Sequence, residues 1–453
     1  MLALYYFAIL MAGLVVGPWL LWRKKARAGL WQKLGIVPRR FKTDRSDKGS
    51  ADAPLWVHAV SVGEFNAVWP LLEAIHSQYP EQRIAVSTTT ATGQQLAKER
   101  AGNFAEIFYF PFDIPWATTA WLNAIKPRAV LVVETEVWPG FYSQCARRKI
   151  PLVVVNGRIS PRSFKTYKQW QWLFRNVFRS AALILAQSRE EETRYRDITG
   201  GAVPITVTGN LKFDGLAEIS PEEQKELRRK LGLHGGELVI VAGSTHEGEE
   251  TAMLRAHTQL TDSGNTNARL VLVPRHPERF ERVADMISAH GFRPRRFSKE
   301  ESAQDYKDVF LLDAIGHLTR FYSAADIAFV GGTLVKIGGH NLVEPCIYSV
   351  PVVCGPHVEK TRDVARALAS ENAIMLAENE DDLLKSIKKL AVNPELRNQI
   401  GANGRRWLED SQGAVLRALK TLEDFDGILI RSPEENQRDL SPATSVAGSR
   451  GKQ

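Results

Sequence analysis

Short continuous apolar runs, each followed by a longer stretch of helical spacing, recur along this chain. Leu55–Val60, Arg83–Ser87, Ala129–Val133, Pro151–Val155 and Ala182–Ala186 read as strands buried on both faces, and Phe65–Tyr79 is one of the helical stretches between them. That alternation predicts an α/β unit built on a parallel, doubly wound sheet. The series ends near Asp214. Ser220-Pro221-Glu222-Glu223 then predicts a helix start, with Ser at the N-cap, Pro at the first helical position and Glu at the third. A second series follows at Leu238–Ala242, Arg269–Val273, Asp308–Leu312, Ile327–Val330 and Pro351–Cys354. The expected organisation is an α/β domain over 51–214, a linker and helix over 215–236, and a second α/β domain over 237–425, the two facing a cleft. Residues 426–453, polar and rich in Ser and Pro, predict a tail without stable structure.

One apolar run differs from the rest. Leu2 to Trp22 spans 21 residues without a charge, close to the ~20 needed to cross a bilayer. Arg23, Lys24, Lys25 and Arg27 follow at once, which favours leaving that side in the cytoplasm. A cleaved signal peptide would carry its charge before the apolar stretch and small residues after it. Residues 1–22 are therefore expected to form a membrane-anchor helix, with 23–50 as a basic juxtamembrane segment. Gly13, Gly17 and Pro18 weaken a helix, so an interfacial helix is the alternative to a spanning one.

The charge balance sharpens this picture. The net charge is +8, but ten Lys/Arg and two Asp lie between Arg23 and Ser50, leaving 49 basic and 49 acidic residues elsewhere. The excess is one patch beside an apolar run. It fits anionic lipid headgroups and argues against nucleic acid as a partner. The three cysteines, Cys145, Cys346 and Cys354, have no paired spacing, so neither a disulfide framework nor a zinc ribbon is expected.

Ligands of open α/β sheets bind beyond the carboxyl ends of the strands, and the polar motifs of this chain follow its strands. Ser61-Val62-Gly63-Glu64, TTTATG (88–93), ETEVWP (134–139), NGRISPRS (156–163) and GNLKFD (209–214) belong to the first half. GSTHEGEE (243–250) and PRHP (274–277) belong to the second. After Ile327–Val330 come two glycine pairs, Gly331-Gly332 and Gly338-Gly339, the latter leading into His340-Asn341 and a helix-like run to Glu344-Pro345. Glycines admit close backbone approach, and N–H groups at a helix start attract phosphate. Glu344, within a turn of that start, would hold sugar hydroxyls. Glycine pairs also mark ordinary turns.

Together these motifs resemble one family, the 3-deoxy-D-manno-octulosonate (Kdo) transferases of lipopolysaccharide inner-core synthesis, over roughly residues 1–425. The resemblance implies a GT-B glycosyltransferase: two Rossmann-like domains facing a cleft, with an N-terminal anchor holding the body on the cytoplasmic face of the inner membrane. It implies transfer of Kdo from CMP-Kdo to a hydroxyl of a lipid A precursor, with inversion, no metal in the transfer step and no cofactor. It implies Glu64 as catalytic base, Glu134 as a transition-state-stabilising acid and Lys212 as the matching cation. The implied donor-binding positions are Pro274 and Arg275, then Ile315, Gly316 and His317, then Asn341, Leu342, Val343 and Glu344.

The chemistry of these residue types agrees with those roles. A sugar hydroxyl is a poor nucleophile, and inversion needs one carboxylate to take its proton; the bland reading of Glu64 is an acid complementing a helix dipole. In an extended segment Glu134 and Glu136 would point the same way, though either acid also suits a cap or an arginine partner. Arg275 suits a departing phosphate because guanidinium donates in a fork; a structural salt bridge is the plainer reading. The family usually has Asn at Gly140, Ala at Gly157, an acid at His317 and Pro-His at Lys336-Ile337. His246-Glu247 lacks the second His of a zinc-protease motif, and there is no DxD-like pair at a strand end. Two alternatives remain open: another GT-B enzyme using a UDP-sugar, and a non-catalytic, membrane-tethered nucleotide-binding protein.

Overall fold

The computed structural model describes residues 2, 4–11, 13, 27–41, 53–216, 218–233, 235–262, 267–301 and 307–429. The chain divides into two compact units: residues 1–215 with 412–453, and residues 216–411.

Unit 1 holds a seven-stranded sheet: β1 (Leu55–His58), β2 (Ile84–Thr88), β3 (Ala105–Tyr109), β4 (Ala129–Val133), β5 (Leu152–Gly157), β6 (Leu183–Ala186) and β7 (Ile205–Val207), in the order β3-β2-β1-β4-β5-β6-β7. All pairings are parallel, with Leu55 opposite both Ile84 and Ala129. Strand residues alternate between two cores. Leu55 and Val57 pack with Phe65, Val68 and Leu72 of helix Val62–Gln78. Trp56 faces the other way, into an aromatic layer with Phe108, Phe110, Trp121 and Phe141.

Unit 2 repeats the architecture with β8 (Leu238–Thr245), β9 (Ala268–Pro274), β10 (Arg293–Arg296), β11 (Asp308–Leu311), β12 (Ile327–Val330), β13 (Val352–Cys354) and β14 (Ile374–Leu376). Its order is β10-β11-β9-β8-β12-β13-β14, again all parallel. Each sheet has a switch point beside its first strand, between β1 and β4 and between β8 and β12, where binding crevices of such sheets form.

The ten apolar runs all become strands. The four further strands, β3, β7, β10 and β14, are the outer strands of the two sheets. Their burial is partial, so they lack the continuous apolar signature of a strand covered on both faces. The helix start at Ser220 forms with a full capping box: the Ser220 hydroxyl accepts from Glu223 N–H, and the Glu223 carboxylate accepts from Ser220 N–H.

The division of the chain departs from expectation at both joins. The helix Pro221–Lys230 belongs to unit 2 and not to a linker. The second domain was expected to run to 425, but the chain returns to unit 1 at Gln412. There Ala414, Ala418, Leu419 and Leu422 of helix Ala414–Asp424 enter the core beneath β1. Val415 N–H donates to Asp214 and Arg417 to the Thr208 carbonyl. An apolar stripe at helical spacing says that a helix is buried, not which sheet it covers.

Residues 1, 3, 12 and 14–22 of the expected anchor, 23–26 and 42–50 of the basic segment, and 430–453 of the tail lie outside the described residues. Among the described residues no helix is long and apolar enough to cross a membrane. Residues 4–11 are helical, and Tyr5 donates its phenol to the Asp113 carboxylate at 2.8 Å.

Candidate functional site

In unit 1 the predicted catalytic residues gather beyond the carboxyl ends of β1, β4 and β7. Glu64 stands at the third position of helix Val62–Gln78, behind Ser61 at the N-cap. Its Oε2 reaches back to accept Val60 N–H at 2.6 Å. The Val60 carbonyl in turn accepts from Thr89 and Thr90 N–H, both at 3.1 Å, so the TTTATG loop braces the segment that carries the acid. A Cβ on Gly93 of that loop would lie 3.3 Å from the Ser61 carbonyl carbon, which explains a glycine there.

Burial pushes the Glu64 carboxyl up to about 8; the Val60 amide and Lys212 oppose this, while Glu136 and Glu134 add to it. Lys212 Nζ lies 2.6 Å from Glu134 Oε1. Burial also raises the Glu136 carboxyl, helped by Glu134. Glu64, Glu134, Glu136 and Lys212 thus form one electrostatic group.

The geometry of the acids is not the expected one. Glu134 has φ 59°, in the left-handed region, so the strand stops at Val133 and the same-side argument for Glu134 and Glu136 fails. The turn aims Glu134 at Lys212. Asn156, missed in the sequence, fixes the other half of that pair. It is buried with φ 55°, and its Oδ1 accepts Leu211 N–H at 3.0 Å, seating the residue before Lys212. Asn tolerates this backbone conformation better than most residues, and the motif NGR is its only trace in the sequence.

The two glycine departures have steric reasons. A Cβ at Gly140 would lie 2.5 Å from the Tyr6 hydroxyl and 2.6 Å from Asp113 Oδ1; at Gly157 it would lie 3.1 Å from the Tyr195 ring.

In unit 2 the donor segments meet beyond β8, β9, β11 and β12. Pro274 ends β9 and is buried; Arg275 follows, exposed, its backbone N–H on the Thr245 carbonyl at 3.0 Å. Glu344 accepts from Asn341 Nδ2 and Thr319 Oγ1, both at 3.0 Å. Burial raises its carboxyl, and these two bonds and Arg275 hold it back. Leu342 and Val343 are buried beneath it. Ile315 is 70% exposed and Gly316 has φ 88° with nothing within 4 Å of a Cβ, an open turn fit for backbone contact. His317 caps helix Leu318–Tyr322 with its ring 5.1 Å from Phe297.

The glycine-pair loop differs most from its prediction. Residues 340–343 are not helical; a five-residue 3₁₀ helix begins at Glu344 itself. The amides beside Gly331-Gly332 are already taken. Glu249, fully buried, accepts His246 N–H (2.9 Å) and Gly332 N–H (2.8 Å) on Oε2, and Thr333 N–H (3.1 Å) and Leu334 N–H (3.0 Å) on Oε1. Burial raises its carboxyl against these four bonds. A Cβ on Gly331 would lie 2.5 Å from the Ser244 carbonyl oxygen, 2.7 Å from Thr245 Cα and 2.8 Å from Glu249 Oε2, so the glycine makes room for the loop after β8 and for an internal carboxylate. Glu249 thereby ties the loop after β8 to the loop after β12. Above the tie, His246 Nε2 faces His340 Nε2 at 2.8 Å. Burial, His246 and Arg275 push His340 down to about 4. No group of three or more metal-ligating side chains occurs among the described residues.

The comparisons decide the family. Residues 28–215 match the family described as 3-Deoxy-D-manno-octulosonic-acid transferase (kdotransferase), and residues 254–407 match Glycosyl transferases group 1. The chain is 33% identical over 387 residues to a 3-deoxy-D-manno-octulosonic acid transferase of Haemophilus influenzae, covering 83% of this chain and 89% of that protein. It is 32% identical to one of Bordetella pertussis, covering 93% and 99%.

The chain belongs to the Kdo transferase family.

It is a glycosyltransferase of that family, acting in lipopolysaccharide core synthesis. A structure of Anabaena HepE in complex with UDP covers 82% of this chain and 100% of that one, with a TM-score of 0.55 at 14% identity. That likeness shows the fold alone: two parallel-sheet α/β units, as in GT-B-like glycosyltransferases.

Proposed function

We propose that this Kdo transferase moves Kdo from CMP-Kdo to a hydroxyl of a lipid A precursor with inversion, at the cytoplasmic face of the inner membrane. Unit 1 serves the acceptor and unit 2 the donor. The acceptor oxygen attacks the anomeric carbon from the face opposite CMP. As the new C–O bond forms, the bond to CMP breaks, and CMP leaves with the electron pair. The hydroxyl proton passes to Glu64. A base with a pKa near the working pH accepts a proton more readily than an ordinary carboxylate. Lys212, held by Glu134, offsets part of the negative charge gathered around Glu64. In unit 2 Arg275 meets the phosphate charge of the leaving CMP. Glu344, with one bond already on each oxygen, keeps a lone pair on each for ribose hydroxyls.

The observation that carries this reading is the Glu64 carboxyl, raised to about 8 and grouped with Glu134, Glu136 and the Lys212 cation. The test is a product assay with CMP-Kdo and a tetra-acylated lipid A precursor, read by mass. Product heavier by one or more Kdo units is expected; turnover of a UDP-sugar with none of CMP-Kdo would overturn the donor assignment. Calorimetry should show CMP binding in excess EDTA, weakened in Arg275→Ala by ~1.5–3 kcal/mol, the range of a charge-assisted hydrogen bond.

A further inference from the structure

We infer that His246 and His340 form a phosphate subsite in unit 2 that takes up a proton as the CMP donor binds. The inference rests on the reading that unit 2 binds that donor, and adds an imidazole pair and a proton to it.

The two imidazoles come from different loops, after β8 and after β12. Their Nε2 atoms lie 2.8 Å apart, with the ring planes parallel. Such a contact needs one N–H and one lone pair, so in the neutral pair one ring carries its proton on Nε2 and the other on Nδ1. The two Nε2 atoms are then engaged with each other. A proton added between them sets two N–H groups head to head and parts the rings, each left with an Nε2–H for an outside acceptor. As a tie between the loops the pair is redundant, since the Glu249 carboxylate already joins them through backbone amides.

The surroundings suit an anion. The rings are half-buried, and Arg275, His276 and Lys360 beside them are exposed. The charged groups that face His340 are His246, Arg275, Lys360 and His276, all basic. Those that face His246 are His276, Arg279, Arg275 and one acid, Glu250. Glu250 is fully buried and already accepts Arg279 on both oxygens, at 2.6 and 3.1 Å. Burial first, and then these bases, favour the neutral form of both rings. A phosphate brought to the pair opposes the field of the bases and makes protonation favourable.

The donor segments adjoin the pair on both sides. Arg275 N–H donates to the carbonyl of Thr245, the residue before His246, at 3.0 Å. Asn341, the residue after His340, donates to Glu344 at 3.0 Å. The imidazoles thus neighbour the group read as meeting the phosphate and the group read as meeting the ribose. Two of the paired glycines serve this arrangement. A Cβ on Gly332 would lie 2.9 Å from His340 Cδ2, and one on Gly338 would lie 3.1 Å from Lys360 Cγ. These glycines give room to side chains that meet a phosphate.

Histidine-ring NMR of the full chain reads the proton directly, with the two signals identified by His246→Gln and His340→Gln. Without ligand both signals should stay flat between about pH 5.5 and 8. With CMP at least one should titrate inside that range. With cytidine, which lacks the phosphate, neither should. CMP bound, as calorimetry shows, with both signals flat would overturn the inference and leave the donor reading standing. No binding of CMP at all would overturn the donor reading and the inference with it. An equal response to cytidine would overturn the phosphate assignment. Affinity gives a second measure. A pKa raised in the complex makes CMP bind more tightly as pH falls through it. His340→Gln keeps an amide near the Nε2 position but cannot titrate. The ratio of wild-type to His340→Gln affinity should grow several-fold from about pH 8 to about pH 6. The phosphate of CMP titrates alike with both proteins and cancels in that ratio. A constant ratio would reduce the pair to a structural contact.

Discussion

Glu64 and Glu249 occupy the same place in two similar units and are handled in opposite ways. Each follows the first strand of its sheet and lies in the first turn of the next helix, beside the switch point of strand order. Glu249 is fully buried and every lone pair is engaged, two amides on each oxygen. Glu64 is half-buried, accepts one amide and shares its surroundings with two other acids. A carboxylate saturated with donors holds backbone in place. One desolvated but left with unused acceptor capacity is poised to take a proton. Position in the fold does not separate the two roles; hydrogen-bond satisfaction does.

The comparison breaks first at Glu64. Glu64→Gln keeps the shape and removes the basicity, and should lower turnover by ~10²-fold or more, as for a lost general base. CMP affinity should stay unchanged, because the residue lies in the other unit from the donor segments. Turnover within a few-fold of wild type would make Glu64 a helix-start acid only, and Glu134 or Glu136 the next candidate.

The converse applies to Glu249. Glu249→Ala strands four amides in a buried site, each unmet group costing ~1–3 kcal/mol. Melting should fall clearly, and CMP affinity should drop about tenfold as the loops after β8 and β12 loosen. Formate at high concentration should restore part of both by refilling the nest of N–H groups, a result that ordinary destabilisation does not produce. Glu249→Gln, which keeps one accepting oxygen, should fall between. Wild-type CMP affinity in a folded Glu249→Ala would separate the nest from donor binding.

A smaller effect follows from linkage. The folded-state carboxyl of Glu64 is raised above its unfolded value. Its protonated form is therefore favoured by folding, and that contribution is complete below about 4.5 and lost as pH rises through about 8. Wild type should lose melting temperature relative to Glu64→Gln between pH 5 and 8. A constant difference across that range would show that the carboxyl is not raised.

What was legible in the sequence follows the same physics. Ten central strands announced themselves as apolar runs because both of their faces are covered, while the four outer strands did not. The acids and the lysine of unit 1 were visible as motif residues after strands, but the left-handed turns at Glu134 and Asn156 that join them were not. Glu249 was visible only as part of GSTHEGEE, where it read as neither ligand nor base. Its meaning lies in amides more than 80 residues away. The glycines beside those amides suggested a bound phosphate, whereas the group that meets the amides is the protein's own Glu249 carboxylate. The Tyr5–Asp113 bond left no sequence trace, because an uncharged run reads alike whether it meets lipid or protein.

As the base of the transfer, Glu64 should titrate as a raised, reactive carboxyl in the free enzyme. The pH dependence of kcat/KM reports that group directly. Measured from pH 5 to 9.5, kcat/KM should rise with pH and level off above an apparent pKa near about 8, and the limb should move upward in Lys212→Met, which removes the cation that lowers it. A profile already flat from pH 6, unmoved by Lys212→Met, would contradict the account.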